Sequence, residues 1–247
     1  MRNKAEILEW EGRRLVPAGL ATFAGVVLVV ASAFLITGIS GEGDAEVLRS
    51  VYDHSSSLTL SSILQAGGFA FLVAPLLVLF RAAAARSEGR VRYQLIGLVV
   101  AAPLFLAVSG VLTGISTNDA AGEFVAGNAK PGITAKAAAK DCRAEQKDVG
   151  AKSFDEEYEG ASPPNALGRC TKTKVADEEA SNAISESSLH GAAIGFGLGG
   201  RLGLAIALLY SCLFAMRAGL LTRFWGSLGM ALGVAALLLR VEFTMIW

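Results

Sequence analysis

Long apolar stretches separated by short charged ones set the pattern of this chain. Five of them, roughly 17–39, 59–80, 93–116, 191–216 and 224–247, are apolar on every face of a helix. A helix needs about 20 apolar residues to cross a hydrocarbon core roughly 30 Å thick, and each stretch meets or approaches that length. None alternates with the two-residue period of a barrel strand. The pattern predicts an all-α fold: a polytopic transmembrane helix bundle of about five spans, or of six with the last one missing. The second form rests on the end of the sequence, which stays apolar up to Trp247 where a terminus is usually polar and frayed.

The first apolar run follows a cationic lead-in holding Arg2, Lys4, Arg13 and Arg14. The run over 20–39 is too long for a secretory signal, so a retained helix is expected. Residues 1–16 read either as a short amphipathic helix or as an ordinary charged lead-in. In the first case Ile7, Leu8, Trp10 and Leu15 lie on the interface and Arg13 and Arg14 face phosphates.

Residues 117–190 break the apolar pattern. The segment is acidic on balance and poor in large apolar residues, so it forms little core unaided. Residues 133–149 and 175–189 predict helices, with Ser162-Pro163-Pro164-Asn165 as a turn or linker between them. The expected organisation is a lead-in at 1–16, spans one to three within 17–116, a helical extracytoplasmic insertion at 117–190, and spans four and five within 191–247.

Charge fixes the orientation. The lead-in, the loop with Arg81, Arg86, Arg90 and Arg92, and the turn with Arg217 and Arg223 alternate along the chain and read as cytoplasmic. Loop 40–58 holds only Arg49 against Glu42, Asp44, Glu46 and Asp53. The N-terminus is therefore expected inside, and 40–58 and 117–190 outside, in a cell (inner or plasma) membrane.

Composition agrees: 53% of residues are hydrophobic and 18% charged, against about 25% charged in a soluble domain. Lys plus Arg and Asp plus Glu are 22 each, so no net charge recruits nucleic acid. The expected partners are the lipid bilayer, a membrane or extracytoplasmic protein, or a second copy of the chain.

Cys142 and Cys170 fall in the long loop, on the side where oxidation is permitted. A bond between them would close a loop of about 29 residues and stabilise it by on the order of 3 kcal/mol. Cys212 lies in an apolar helix as a small packing residue.

In the fourth span, Gly191, Gly195, Gly199 and Gly203 recur every four residues. They predict a ridge for close helix packing, against another span or against a second copy. The GxGxxG match at 195–200 falls inside this span, without the strand and loop that a dinucleotide fingerprint requires. Arg201 sits about half a turn from that ridge, about 24 Å above Arg217, and Glu242 about 28 Å above Arg223. In antiparallel helices these depths nearly match, so Arg201 and Glu242 are a candidate intramembrane ion pair. The pair reads as a structural clamp, with Arg201 able to snorkel, or as a polar spot for an anionic group. Pro75 and Pro103 are expected to kink their spans.

No catalytic motif is present. His54 and His190, with Asp53, form only a thin case for a divalent metal, so no cofactor and no enzymatic activity are expected.

Residues 24–38, the acidic helical loop 43–56, and 58–80 with its basic turn resemble a bacterial multi-pass membrane family of unknown function. The resemblance covers under half of the chain and implies a membrane fold but no activity. The small first loop and the large cysteine-bearing second loop also resemble tetraspanin topology, although the paired-cysteine-glycine motif is missing and a fifth span is present. The expectation is a non-enzymatic interaction, accessory or sensor protein acting through its outer loop. The alternative is a small-solute transporter or channel using Arg201 and Glu242.

Overall fold

The computed structural model describes residues 4–86, 95–149 and 163–238. Among them every regular element is an α-helix: α1 (Lys4–Leu35), α2 (Asp44–Asp53), α3 (Ser55–Phe71), α4 (Val73–Arg86), α5 (Ile96–Val125), α6 (Ala135–Val149), α7 (Pro163–Glu186), α8 (His190–Arg217) and α9 (Arg223–Leu238). Four segments are long and apolar enough to cross a membrane: Gly12–Leu35, Ser55–Arg86, Ile96–Val125 and His190–Arg217. Of the expected fifth span, 16 residues of helix are described; Arg240, Glu242 and Trp247 lie outside the described residues, as do Arg90 and Arg92.

The helices group into two compact units. The first comprises Met1–Ile36, Thr59–Gly114 and Gly191–Trp247; the second comprises Thr37–Leu58 and Ile115–His190.

In the first unit, small residues let helices approach closely. Along α1, Ala18, Gly25 and Ser32 are buried at intervals of seven, while Phe23 and Phe34 are each 70% exposed. Gly25 meets Gly68 of α3 backbone to backbone. A Cβ on Gly68 would lie 2.8 Å from the Gly25 carbonyl oxygen and 2.6 Å from Val29 Cγ2. Seven residues before Gly68, the Ser61 hydroxyl donates to the Ser32 carbonyl at 2.9 Å. The same logic joins α5 to α8. The Ser109 hydroxyl donates to the Ala193 carbonyl at 2.8 Å, and Cβ atoms on Gly200 and Gly203 would lie 2.8 Å from Leu106 and Ala102. Larger side chains fill the other end, where Leu76, Phe80, Val99 and Ala207 form a core with Tyr210 and Phe214 packed on it.

Several expected boundaries move. The lead-in is no separate amphipathic helix: α1 runs unbroken from Lys4 through Pro17 to Leu35. Leu15 of that lead-in is 59% exposed; the side chains of Ile7, Leu8 and Trp10 lie outside the described residues. The second span is two helices with a break at Leu72, where the Leu72 amide donates to the Phe69 carbonyl at 3.1 Å. Pro75 explains it, because without an N–H it cannot donate to the Phe71 carbonyl. Pro103, by contrast, sits inside a continuous α5.

In the second unit, α5 continues well past 116 to Val125 and ends on Gly127, whose φ is +71°. The Asn128 amide donates to Glu123 at 3.0 Å and the Gly127 amide to Phe124 at 3.1 Å, the pairing that closes a helix on a left-handed glycine. Pro163 and Pro164 begin α7 rather than form a linker; proline is tolerated in a first turn, whose amides lack helical partners. The unit's interior holds Leu48 and Val51 of α2, Ala120, Ala121 and Phe124 of α5, Ala138 and Cys142 of α6, and Cys170, Ala180 and Ala183 of α7.

Candidate functional site

The second unit contains the most developed site, and α2 builds one wall of it. Ala45, Leu48 and Val51 are three residues apart and all buried, a helical period that seats one face of α2 and leaves Arg49, Tyr52 and Asp53 exposed. The N-cap position is Gly43, which offers no side-chain acceptor. Asp177 of α7 supplies it instead, its Oδ1 accepting from the Ala45 amide at 3.0 Å. A Cβ on Gly43 would fall 2.5 Å from that same oxygen, so glycine is what admits the carboxylate.

This capping has an electrostatic consequence. Burial, and secondarily the negative charge of Asp177, hold the Asp44 carboxyl above the usual carboxylate range. The folded unit therefore binds a proton more readily than the unfolded chain in a window just above that range. Within the window its stability falls as pH rises; below it the effect vanishes. The variant Asp44→Asn is expected to lose this component, so that its stability difference from wild type grows as pH rises through the window and is flat above it. Paired denaturation curves from pH 3 to pH 8 check it; parallel curves throughout would refute it.

Arg49, Tyr52 and Asp53 of α2, Phe124 and Val125 of α5, and Ala176 and Glu179 of α7 line a cavity of about 410 Å³. The Arg49 guanidinium lies 5.8 Å from the centre of the Phe124 ring, a cation–π distance. The remaining structure braces these walls. Cys142 of α6 and Cys170 of α7 form a disulfide with Cα atoms 6.1 Å apart, both fully buried with Ala166 and Leu167 beside them. Lys174 pairs with Glu145 at 2.5 Å and Lys130 with Glu186 at 2.9 Å.

The other sequence candidates fare differently. Of the glycine ridge, Gly203 packs on α5 and Gly199 meets the Phe105 ring at 3.6 Å, whereas Gly191 and Gly195 have open space where a Cβ would be. The ridge that packs within the chain is Ala193, Gly197, Gly200 and Gly203. Spacing by four drifts about 40° per step around a helix of 3.6 residues per turn, so a mixture of threes and fours tracks a straight neighbour better. Arg201 is half-buried and makes no ion pair among the described residues. Its expected partner Glu242 lies outside them, so the pair is not brought together here. His54 caps α2 through its own backbone amide, and its Nδ1 lies 3.0 Å from the Ser50 carbonyl. No group of three or more His, Cys, Asp and Glu gathers at metal-binding distance among the described residues.

Sequence reading missed that loop 40–58 and the long loop form one unit. The signal was the apolar triplet Ala45, Leu48 and Val51 in a polar segment. The expected fifth helix, α9, is present over Arg223–Leu238; what its sequence did not announce is that it meets α8 through glycines at three- and four-residue steps, Gly226 beside Met216, Gly229 beside Cys212 and Gly233 beside Leu208. No protein-family model, curated protein or solved structure matches the chain.

Proposed function

We propose that the chain is an integral protein of the cell (inner or plasma) membrane, N-terminus cytoplasmic, acting as a non-enzymatic interaction, accessory or sensor protein through an extracytoplasmic helical domain formed by the second unit. The observation that carries this reading is the cavity, held in a unit with its own core and its own disulfide. A covalent staple suits an oxidising compartment. The four membrane-length helices and the alternation of basic segments support the embedding and the orientation.

Orientation is tested by labelling. A cysteine placed at Ser153 is expected to react with an impermeant thiol reagent added to intact cells, and one at Ser87 only after permeabilisation; the reverse pattern overturns the orientation. Function is tested by replacing 126–189 with a short Gly-Ser loop in a chain that still inserts. The intact chain is expected to copurify with a membrane or extracytoplasmic protein in constant ratio, and the shortened one to lose it. A partner kept by the shortened chain, or none held by the intact one, overturns the reading.

A transporter or channel is the second reading, favoured by one observation: Arg201 lies half-buried in a membrane-length helix with no ion-pair partner among the described residues. Solute uptake lost in Arg201→Ala, with insertion and folding intact, would replace the first reading with this one.

A further inference from the structure

We propose that the cavity of the second unit binds a free amino acid with an apolar side chain, recognised as a zwitterion. This deepens the reading of that unit as the part that senses or binds, and it rests on it. The cavity is an open cleft of about 410 Å³, toward the lower end of small-molecule pockets, roughly 300–1,000 Å³, so it suits a ligand of few atoms.

The lining chemistry selects the class. Arg49 is the cation of the wall, and its guanidinium carbon lies 5.8 Å from the centre of the Phe124 ring, a contact that uses none of its N–H donors. No hydrogen bond or ion pair engages Arg49 among the described residues. A planar fork with free donors matches a carboxylate. Asp53 lies one turn beyond Arg49 on the same face of α2, and Glu179 reaches the cavity from α7. Neither carboxylate has an ion-pair partner among the described residues, although Asp53 stands at the spacing where it could have taken Arg49.

Two carboxylates and one guanidinium in the same cavity lining, none of them in an ion pair among the described residues, leave a place for an ammonium group as well as one for a carboxylate. An α-amino acid carries those two groups on one carbon. Phe124, Val125 and Ala176 supply apolar wall for its side chain, with Tyr52 at the rim. A simple anion would meet two like charges, and a simple cation would leave Arg49 unanswered. The zwitterion is the ligand that satisfies all three.

The test uses the full chain in detergent with its disulfide intact. Calorimetric titration with L-leucine and L-phenylalanine is expected to show saturable binding. Leucine methyl ester, which keeps only the ammonium, and N-acetylleucine, which keeps only the carboxylate, are each expected to bind at least about tenfold more weakly, the loss of one charge-assisted pairing. Arg49→Ala is expected to lose about tenfold or more for leucine and to close the gap between leucine and its ester. Arg49 is exposed, so the fold is expected to survive, and a thermal melt checks it. Val125→Trp, at a position 45% exposed, fills the cavity without touching a charge and is expected to abolish binding. Absence of saturable binding by either amino acid up to about 10 mM overturns the proposal, as does an ester that binds as tightly as leucine or an Arg49→Ala chain that binds unchanged. Should leucine fail to bind while the partner still copurifies through 126–189, only this inference falls. Should the partner experiment fail while leucine binds, the broader reading falls and the amino-acid site stands.

Discussion

Gly68→Leu should unseat α1 from α3 and destabilise the first unit by about 3 kcal/mol or more, the upper end of what overpacking does in a close-packed interior. The neighbour in the way is backbone, the Gly25 carbonyl at 2.8 Å from the new Cβ, with Val29 Cγ2 at 2.6 Å. A side chain can swing aside by changing rotamer, but a helix carbonyl can move only if the whole helix does. That displacement would also stretch the bond from Ser61 to Ser32, now 2.9 Å. Gly67→Leu is the matched control, because a Cβ there meets only Leu28 Cδ1, at 3.5 Å. Thermal melts of both variants in the same detergent should separate them clearly. Equal melting of Gly68→Leu and wild type would mean that the glycine crossing does not hold these helices together.

The double variant Cys142→Ala/Cys170→Ala should weaken the second unit by about 3–4 kcal/mol, the chain-entropy value for a loop of this length. The two sulfurs are 28 residues apart in sequence and wholly buried. Packed with them are Ala166 and, partly buried, Leu167. Apolar burial of this kind contributes little to offset the loss, since alanine removes far less area from water than leucine or phenylalanine does. The first unit has no disulfide among its described residues and should melt unchanged. Proteolysis at the exposed Arg143 and Lys172 should accelerate in the variant, and in the wild type after reduction. Cleavage at the wild-type rate in both would show that the bond carries no stability.

The all-helical character and the cysteine pairing were legible in the sequence because each depends on local signals. Twenty apolar residues in a row announce a membrane-length helix whatever surrounds them. Two cysteines in one polar loop have few other partners. Boundaries were less legible. α5 runs nine residues past its expected end because its close, from Thr117 to Val125, is polar on one side only: Asp119 and Glu123, one turn apart, are exposed, while Ala120, Ala121 and Phe124 are buried. A span rule that counts apolar residues stops where that face begins.

The site itself was not legible. Arg49 and Asp53, one turn apart on α2, are far in sequence from Phe124 and Glu179, and nothing in that spacing announces a cavity. Only the docking of α2 on α7 through Asp177 brings them together. The glycine ridge of α8 shows the opposite failure. Its regularity was visible, but the packed face follows neighbouring shape, here Leu106 and Ala102 against Gly200 and Gly203, and shape is absent from a one-dimensional pattern.

The interruption at Leu72 has a mechanical corollary for the segment Ser55–Arg86. Its 32 residues would measure about 48 Å as one straight rod, well beyond a hydrocarbon slab of roughly 30 Å. A rigid rod of that length has to lean steeply or protrude. Two half-rods joined at a loosened turn can lean by different amounts, so in lipids of short or long acyl chain the angle between Ser55–Phe71 and Val73–Arg86 should absorb the mismatch while both ends keep their depth.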